Sequence, residues 1–274
     1  MQKIKALIFK ILIKLLKMLG PTFHGHLLHQ KSFEDIYALA LIGMNIGTGA
    51  GTSSSGEVNA IKYVKSKLKT KNPVLFDVGA NVGSYSELLI EYFKNDPRVF
   101  SFEPSRTTFE KLNSNLSSKH VSTFNFGFGE TNSKLKLYSN FESSGLASVY
   151  NRRLEHFGIE MKLNEEVELK TIDSFCDEMD INMIDFLKID VEGHEISVLK
   201  GATILLNQKK IRFIQFEFGG CNIDSRTYFQ DFYYLLKDNY YLYRIVKDGI
   251  YKIENYKEMY EAFNTTNYLA ELID

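Results

Sequence analysis

From residue 57 onward the chain alternates between two hydrophobic periods. Glu57–Leu68 places apolar side chains at 58, 61, 64 and 68, the spacing of one helix face. Val74–Val78 is a short apolar run bounded by Pro73 and Gly79, which predicts a buried strand. Helical spacing returns over Ser84–Phe93. The same alternation predicts strands at Arg98–Phe102, Val121–Phe126, Ile184–Ile189 and Ile211–Phe216. Between and after them, helices are predicted at Thr107–Leu116, Ile172–Met179, Glu195–Lys200 and Tyr228–Leu236. Lys134–Tyr138 and Glu166–Leu169 alternate like a hairpin pair with a long insertion, and Tyr241–Val246 with Ile250–Ile253 predicts a terminal hairpin. Apolar strands separated by helices imply an α/β fold, with a mostly parallel sheet covered on both faces. Such sheets bind ligands beyond the carboxyl ends of their strands. The chemistry is therefore expected just after Val78, Phe102, Phe126, Ile189 and Phe216.

The first 56 residues follow a different pattern. Residues 3–18 read KIKALIFKILIKLLKM. At 100° per residue, Lys3, Lys10, Lys14 and Lys17 fall on one narrow stripe, and Ile4, Leu7, Ile8, Ile11, Leu12, Leu15 and Met18 fill much of the remainder. Lysines interrupt every apolar run, so the segment lacks the ~20 apolar residues of a spanning helix. It also lacks the uninterrupted core and small-residue cleavage site of a signal peptide. Residues 1–20 are expected to form a basic amphipathic helix on an anionic membrane surface. A helix packed on the domain or on a partner chain is the alternative. Residues 21–56 read as a connector ending in a Gly/Ser-rich loop. His24, His26 and His29 have no carboxylate or cysteine within their cluster, which argues against a metal site. Gly51 and Gly56 have phosphate-loop spacing, but Glu57 stands where the lysine should be. A flexible loop with Ser55 capping the next helix is the simpler account.

Composition narrows the class. A chain of 274 residues with 44% hydrophobic content can fold around one large core without staples. Its net charge of −1 argues against a nucleic-acid partner. Cys176 and Cys221 form no CxxC pair and suit a reducing compartment, so a cytoplasmic location is expected, peripheral on the cytoplasmic face of the membrane. Residues 57–274 are then one domain.

The strand ends carry the candidate chemistry. After the first strand stands Asp77-Val-Gly79-Ala80-Asn81-Val-Gly83-Ser84. A dinucleotide fingerprint from Gly79 would require glycine at 81 and 84, which disfavours a nicotinamide oxidoreductase. The two glycines still let backbone approach a ligand closely at a helix N-terminus. An acid at Asp77 would repel phosphate and welcome a cation. Glu103-Pro104 ends the second strand, where a carboxylate can accept both hydroxyls of a ribose. Together these residues describe an adenosyl ligand with positive charge and no phosphate, as in S-adenosylmethionine. The fourth strand ends in Lys188-Ile-Asp190-Val-Glu192-Gly-His194-Glu195. In an extended segment Lys188, Asp190, Glu192 and His194 share one face.

With these segments the chain resembles the FkbM family of S-adenosylmethionine-dependent methyltransferases. The matching stretches are FDVGANVGSYS (76–86), FSFEPSRTTFEKLNSNL (100–116), FNFGFGE (124–130), IDFLKIDVEGHEISVLKGA (184–202) and IRFIQFEFG (211–219). The resemblance implies a class I methyltransferase fold: a Rossmann-like, seven-stranded, mostly parallel sheet with helices on both faces and a C-terminal antiparallel hairpin. It implies that Asp77, Gly79, Asn81 and Gly83 line the methionine moiety, with Ala80 and Ser84 in the same loop. Glu103 and Pro104 would lie at the ribose, and Asn125 and Gly127 near the adenine. It further implies an O-methyltransferase acting on a glycan or lipid-linked hydroxyl. A non-catalytic membrane-surface protein on the same fold is the alternative. Asp190, Glu192 and His194 are the candidates for proton removal or acceptor positioning, with Asp190 also on the cofactor side. Asp190, Glu192, His194 and Glu217 are of the types that bind a divalent cation, but their spacing does not demand one and no metal is expected.

Overall fold

The computed structural model describes residues 2–49, 55–94, 96–117, 119 and 121–273. The chain divides into two compact units, residues 1–44 and 45–274. The first unit contains helix α1 (Gln2–Leu19) and helix α2 (Gln30–Gly43). Helix α2 corrects the expectation of a connector over residues 21–56, and the unit boundary falls at Met44/Asn45 rather than after 56. Its connector-like reading came from the three histidines and Gly25, which punctuate only the approach to the helix. Among the described residues no helix is long and apolar enough to cross a membrane. Most of the Gly/Ser-rich loop, residues 50–54, lies outside the described residues.

The second unit is built on an eight-stranded sheet. Its strands are β1 (Val74–Val78), β2 (Arg98–Phe102), β3 (Val121–Phe124), β7 (Ile184–Ile189), β8 (Ile211–Phe218), β9 (Tyr240–Val246), β10 (Gly249–Ile253) and β11 (Thr266–Leu272). They lie in the order β10-β9-β11-β8-β7-β1-β2-β3. The five strands from β3 to β8 run parallel; β11 is antiparallel to both β8 and β9, and β10 to β9. The sheet has eight strands rather than seven, and the predicted β9–β10 hairpin forms but is not terminal. β11, which the pattern did not reveal, inserts between β8 and β9. A three-stranded sheet in the order β4-β6-β5 joins β4 (Gly127–Phe128), β5 (Ser133–Ser139) and β6 (Leu163–Lys170). The predicted third strand therefore stops at Phe124, and Gly127 and Phe128 pair with β6.

Helices α3 (Glu57–Lys67), α4 (Ser84–Tyr92), α5 (Arg106–Leu116), α6 (Ile172–Glu178), α7 (Glu195–Lys200), α8 (Thr203–Asn207), α9 (Cys221–Ser225) and α10 (Phe229–Leu236) cover the main sheet and its ends. Alternation along the strands separates two cores. Phe76, Phe100, Phe102, Phe126, Phe128 and Phe175 pack in one, and Leu75, Val99, Phe186, Phe213, Ile245 and Leu269 in the other. Near the carboxyl ends the second face turns polar. Ser101, Asp77, Lys188 and Gln215 sit side by side on β2, β1, β7 and β8, all buried. Gly56, not Ser55, is the N-cap of α3; the Ser55 hydroxyl instead donates to the Glu57 carboxylate at 2.8 Å.

Candidate active site

The site lies beyond the carboxyl ends of the parallel strands, as the alternation predicts. A cleft of about 680 Å³ is lined by Gly79, Asn81, Glu103, Pro104, Gly127, Asp190, Glu192 and His194, with an apolar wall that includes Phe128, Ala147 and Leu169. A larger, more polar chamber of about 1370 Å³ adjoins it and shares Gly79, Asn81, Gly145, Asp190 and Glu192. Ala80, Ser84, Glu57, Lys188, Arg152 and Glu217 line only the chamber.

Glu103 is the anchor of the cleft. Its Oε2 accepts the Asn81 backbone N–H at 3.0 Å and its Oε1 that of Ser105 at 2.9 Å. The two strand-end loops are thereby tied to one carboxylate. Burial pushes its pKa up to about 7, against the pull of these two N–H donors. Gly79 makes the close approach of β1 and β7 loops feasible. Its φ is +77°, and a Cβ there would meet the Asp190 carbonyl oxygen at 1.8 Å.

Three residues expected to touch a ligand line neither cavity. Asp77 is fully buried: its Oδ2 accepts the Ser86 hydroxyl at 2.6 Å, and its Oδ1 lies 3.2 Å from the Lys188 ammonium. Its place one residue before the end of β1, opposite Lys188 on β7, turns it into the sheet. Gly83 enters α4 beneath Leu112 and Leu116, where a Cβ would crowd both. The Asn125 amide donates to the carbonyls of Glu103 and Pro104, at 3.0 and 3.1 Å, so it braces the loop that presents Glu103.

The loop after β7 brings the acidic groups together. Lys188 bridges Asp77 and Asp190, 3.4 Å from the latter, and its ammonium sits 5.0 Å from the centre of the Tyr85 ring. Burial pulls its pKa down, but Asp77, Asp190 and Glu57 outweigh that and hold it above the ordinary lysine value. Glu192 adopts φ +52°, a left-handed conformation costly for a residue with a Cβ, and its carboxylate pairs with Arg152. Burial and the Asp190 charge push its pKa up, with Arg152 opposing. The Glu195 carboxylate accepts the backbone N–H groups of Val191 and Gly193, at 3.1 and 3.0 Å, closing the turn. His194 faces the cleft and not the chamber; its Nδ1 lies 3.1 Å from the Tyr150 hydroxyl, and burial lowers its pKa to about 4. A neutral imidazole at pH 7 follows.

The segment between β5 and β6 completes the site. Ser148 donates to the Glu192 carbonyl at 2.7 Å, Tyr150 reaches His194, and Arg152 reaches Glu192. Ser143 and Gly145 border the chamber. Sequence reasoning missed Arg152 and Tyr150, since both come some 40 residues before their partners in an irregular segment with no local pattern. Glu57 was singled out only as a departure from a phosphate loop. It lines the chamber and accepts the Gln215 amide at 2.9 Å. Gln215 and Glu217 did leave a signal: polar residues two apart near the end of an apolar strand. Among the described residues, Glu192, Glu217 and Cys221 bring one ligand-type atom each within 4.8 Å of one another, but the Arg152 guanidinium already neutralises Glu192.

Two characterised proteins resemble this chain at low identity. The hexuronic acid methyltransferase AglP of Haloferax volcanii is 27% identical over 168 residues, covering 60% of this chain and 64% of AglP. The 2-O-methyltransferase NoeI of Sinorhizobium fredii is 24% identical over 167 residues, covering 57% and 68%. The chain thus spans about two thirds of the length of each. A crystal structure of an FkbM methyltransferase from Methylobacillus flagellatus aligns with 77% of this chain and 47% of its own, at 17% identity and a TM-score of 0.45. The family model for the methyltransferase FkbM domain matches residues 77–244, from the buried aspartate of β1 to the middle of β9, and the chain belongs to that family.

Proposed function

We propose that this chain is an S-adenosylmethionine-dependent O-methyltransferase acting on a sugar hydroxyl of a glycan or lipid-linked saccharide. The observation that carries the reading is the setting of Glu103. Its carboxylate faces a cleft beyond the carboxyl ends of β1, β2 and β7, the usual ligand position of such a sheet. Each oxygen holds one backbone N–H and keeps a further lone pair, enough for two vicinal ribose hydroxyls. The apolar wall beyond Pro104 and Gly127 suits a purine, and Asp190 and Glu192, where the cleft meets the chamber, suit a nearby positive charge. When bound, S-adenosylmethionine supplies a methyl group made electrophilic by its sulfonium. The chain must then hold an acceptor hydroxyl in line and remove its proton, which contributes typically ~10²–10⁴-fold. Asp190 and Glu192 border both cavities and so stand between the cofactor side and the acceptor side. The sugar acceptor is supported by the relatives' names, one for a hexuronic acid and one for 2-O transfer.

The reading extends to location: a cytoplasmic enzyme resting on an anionic membrane surface through residues 1–20, beside lipid-linked saccharides. The exposed apolar side chains of α1, Leu7, Phe9, Leu12 and Met18 among them, support it. Two measurements test the activity. Calorimetry should show binding of S-adenosylhomocysteine and none of NAD. Labelled S-adenosylmethionine should transfer methyl to a glycan or lipid fraction from cells lacking the gene, and less to the same fraction from cells carrying it. Absence of S-adenosylhomocysteine binding, or label in no saccharide fraction, overturns the reading.

A further inference from the structure

Of the carboxylates around the chamber, one is not committed to a partner. Asp190 is paired with Lys188, Glu192 with Arg152, and Glu57 accepts from Ser55 and Gln215. Glu195 spends one oxygen on two backbone N–H groups. Glu217, near the carboxyl end of β8, is only 7% exposed and lines the chamber, yet among the described residues its side chain makes no hydrogen bond and no ion pair. Burying a carboxyl without a partner is costly, and a fold retains such a group where a ligand completes it.

We infer that Glu217 receives the acceptor hydroxyl and takes its proton during methyl transfer. This rests on the reading of the chain as an S-adenosylmethionine-dependent O-methyltransferase. In the step, the hydroxyl oxygen forms the new bond to the methyl carbon, and the methyl–sulfur bond breaks with its electron pair staying on sulfur. The hydroxyl proton passes to a Glu217 oxygen. Asp190 and Glu192 are already paired, with Lys188 and Arg152 respectively. His194 faces the cleft and not the chamber.

The surroundings also say when Glu217 is ready. Asp190 and Glu192 face it from the loop after β7, Glu195 from α7, Glu57 from α3 and the Cys221 thiol from α9. Arg152 and Lys188 are the chamber's two cations, both already paired. Burial first, then the four carboxylates, hold Glu217 well above the ordinary carboxyl range. A sulfonium entering the adjoining cleft adds positive charge and favours the carboxylate. The base is then unmasked only when the methyl donor is in place.

Calorimetry in buffers of different ionisation enthalpy tests this with the full chain. S-adenosylmethionine carries the sulfonium charge and S-adenosylhomocysteine does not. The wild type should release more protons per S-adenosylmethionine bound than per S-adenosylhomocysteine. In Glu217→Gln that difference should vanish, while S-adenosylhomocysteine affinity stays within about threefold and the melting temperature does not fall, since a buried carboxyl is replaced by a neutral isostere. On the saccharide fraction that wild-type enzyme labels, Glu217→Gln should lower turnover by about 10²-fold or more. Equal proton release for the two ligands in the wild type, a difference that persists in Glu217→Gln, or near-normal turnover of that variant each overturns the inference. Those outcomes leave the methyltransferase reading intact. Failure of the wild type to bind S-adenosylhomocysteine overturns both.

Discussion

Asp77 and Glu103 are both buried acids at strand ends, and they do different work. Asp77 neutralises Lys188 inside the sheet, whereas Glu103 faces the cleft. Their variants should therefore separate. Asp77→Asn leaves a buried ammonium with one partner fewer and should cost about 3–5 kcal/mol of stability, read as a lower urea midpoint. Glu103→Gln should fold and instead weaken S-adenosylhomocysteine binding by about 10–100-fold, the worth of a charge-assisted hydrogen bond. The pH dependence follows in sign from the pKa of about 7. If the ribose hydroxyls favour the carboxylate, affinity should fall as pH drops from 8 to 6, and Glu103→Gln should flatten that slope. For stability the sign is opposite. The folded pKa lies above the usual carboxyl value of 4.5, so this group's contribution is fully present below pH 4.5 and is lost as pH rises through about 7. A urea midpoint for Glu103→Gln that tracks the wild type from pH 4.5 to 8 would contradict this.

At the level of elements, the segment between β5 and β6 is held to the loop after β7 by three side chains, Ser148, Tyr150 and Arg152. Its Ala147 and Val149 pack against Leu137, Val167 and Leu169 of the small sheet, and Ser148 bridges to Tyr138, so the polar ties are what join it to the loop after β7. Arg152→Ala should leave Glu192 buried without a counter-ion and loosen the segment. Limited proteolysis is expected to cut within residues 140–160 at least several times faster than in the wild type, with cuts elsewhere unchanged. A cleavage rate equal to the wild type's would mean the hairpin alone positions the segment. The legibility of elements in the chain has a physical gradient. α3 and α4 were readable because each buries one face at helical spacing, and β1, β2 and β7 because each is a short, mostly apolar run buried on both faces. β11 was not, because Thr266–Leu272 carries Asn267 and Glu271 among its apolar residues and follows an irregular stretch. Its strand character comes from two neighbours, β8 and β9, that supply hydrogen bonds on both edges.

Across the whole molecule, charge is unevenly distributed. The first 44 residues hold six lysines against Glu34 and Asp35, a net of +4, which leaves −5 on the remainder. Lys31 pairs with both acids, and Lys10, Lys14 and Lys17 of α1 make no ion pair among the described residues. Helix α2 adds exposed Ile36, Leu39 and Ile42 to the apolar surface of α1. Exposed apolar side chains beside lysines would suit the anionic surface proposed above. Full-length protein should co-sediment with vesicles containing anionic lipid and not with neutral ones, at about 1 kcal/mol per lysine near the surface. The bound fraction should fall as salt is raised and vanish on deletion of residues 1–20. Equal, low sedimentation of both proteins would assign the helix to a protein partner instead.

What the amino-acid sequence determined by itself was local or periodic. Strand–helix alternation set the fold class, and strand-end position singled out Gly79, Asn81, Glu103, Asp190, Glu192 and His194, all of which line the cleft. Those signals survive because each depends on residues a few positions apart. Only the tertiary structure decided which acids are spent and which are free. Asp77 is taken by Lys188 from a strand 111 residues later, Glu192 by Arg152, and Glu217 by nothing among the described residues. A carboxylate's chemistry is set by the charges and dielectric around it, and those come from β1, β7, β8, α3, α9 and the β5–β6 segment at once.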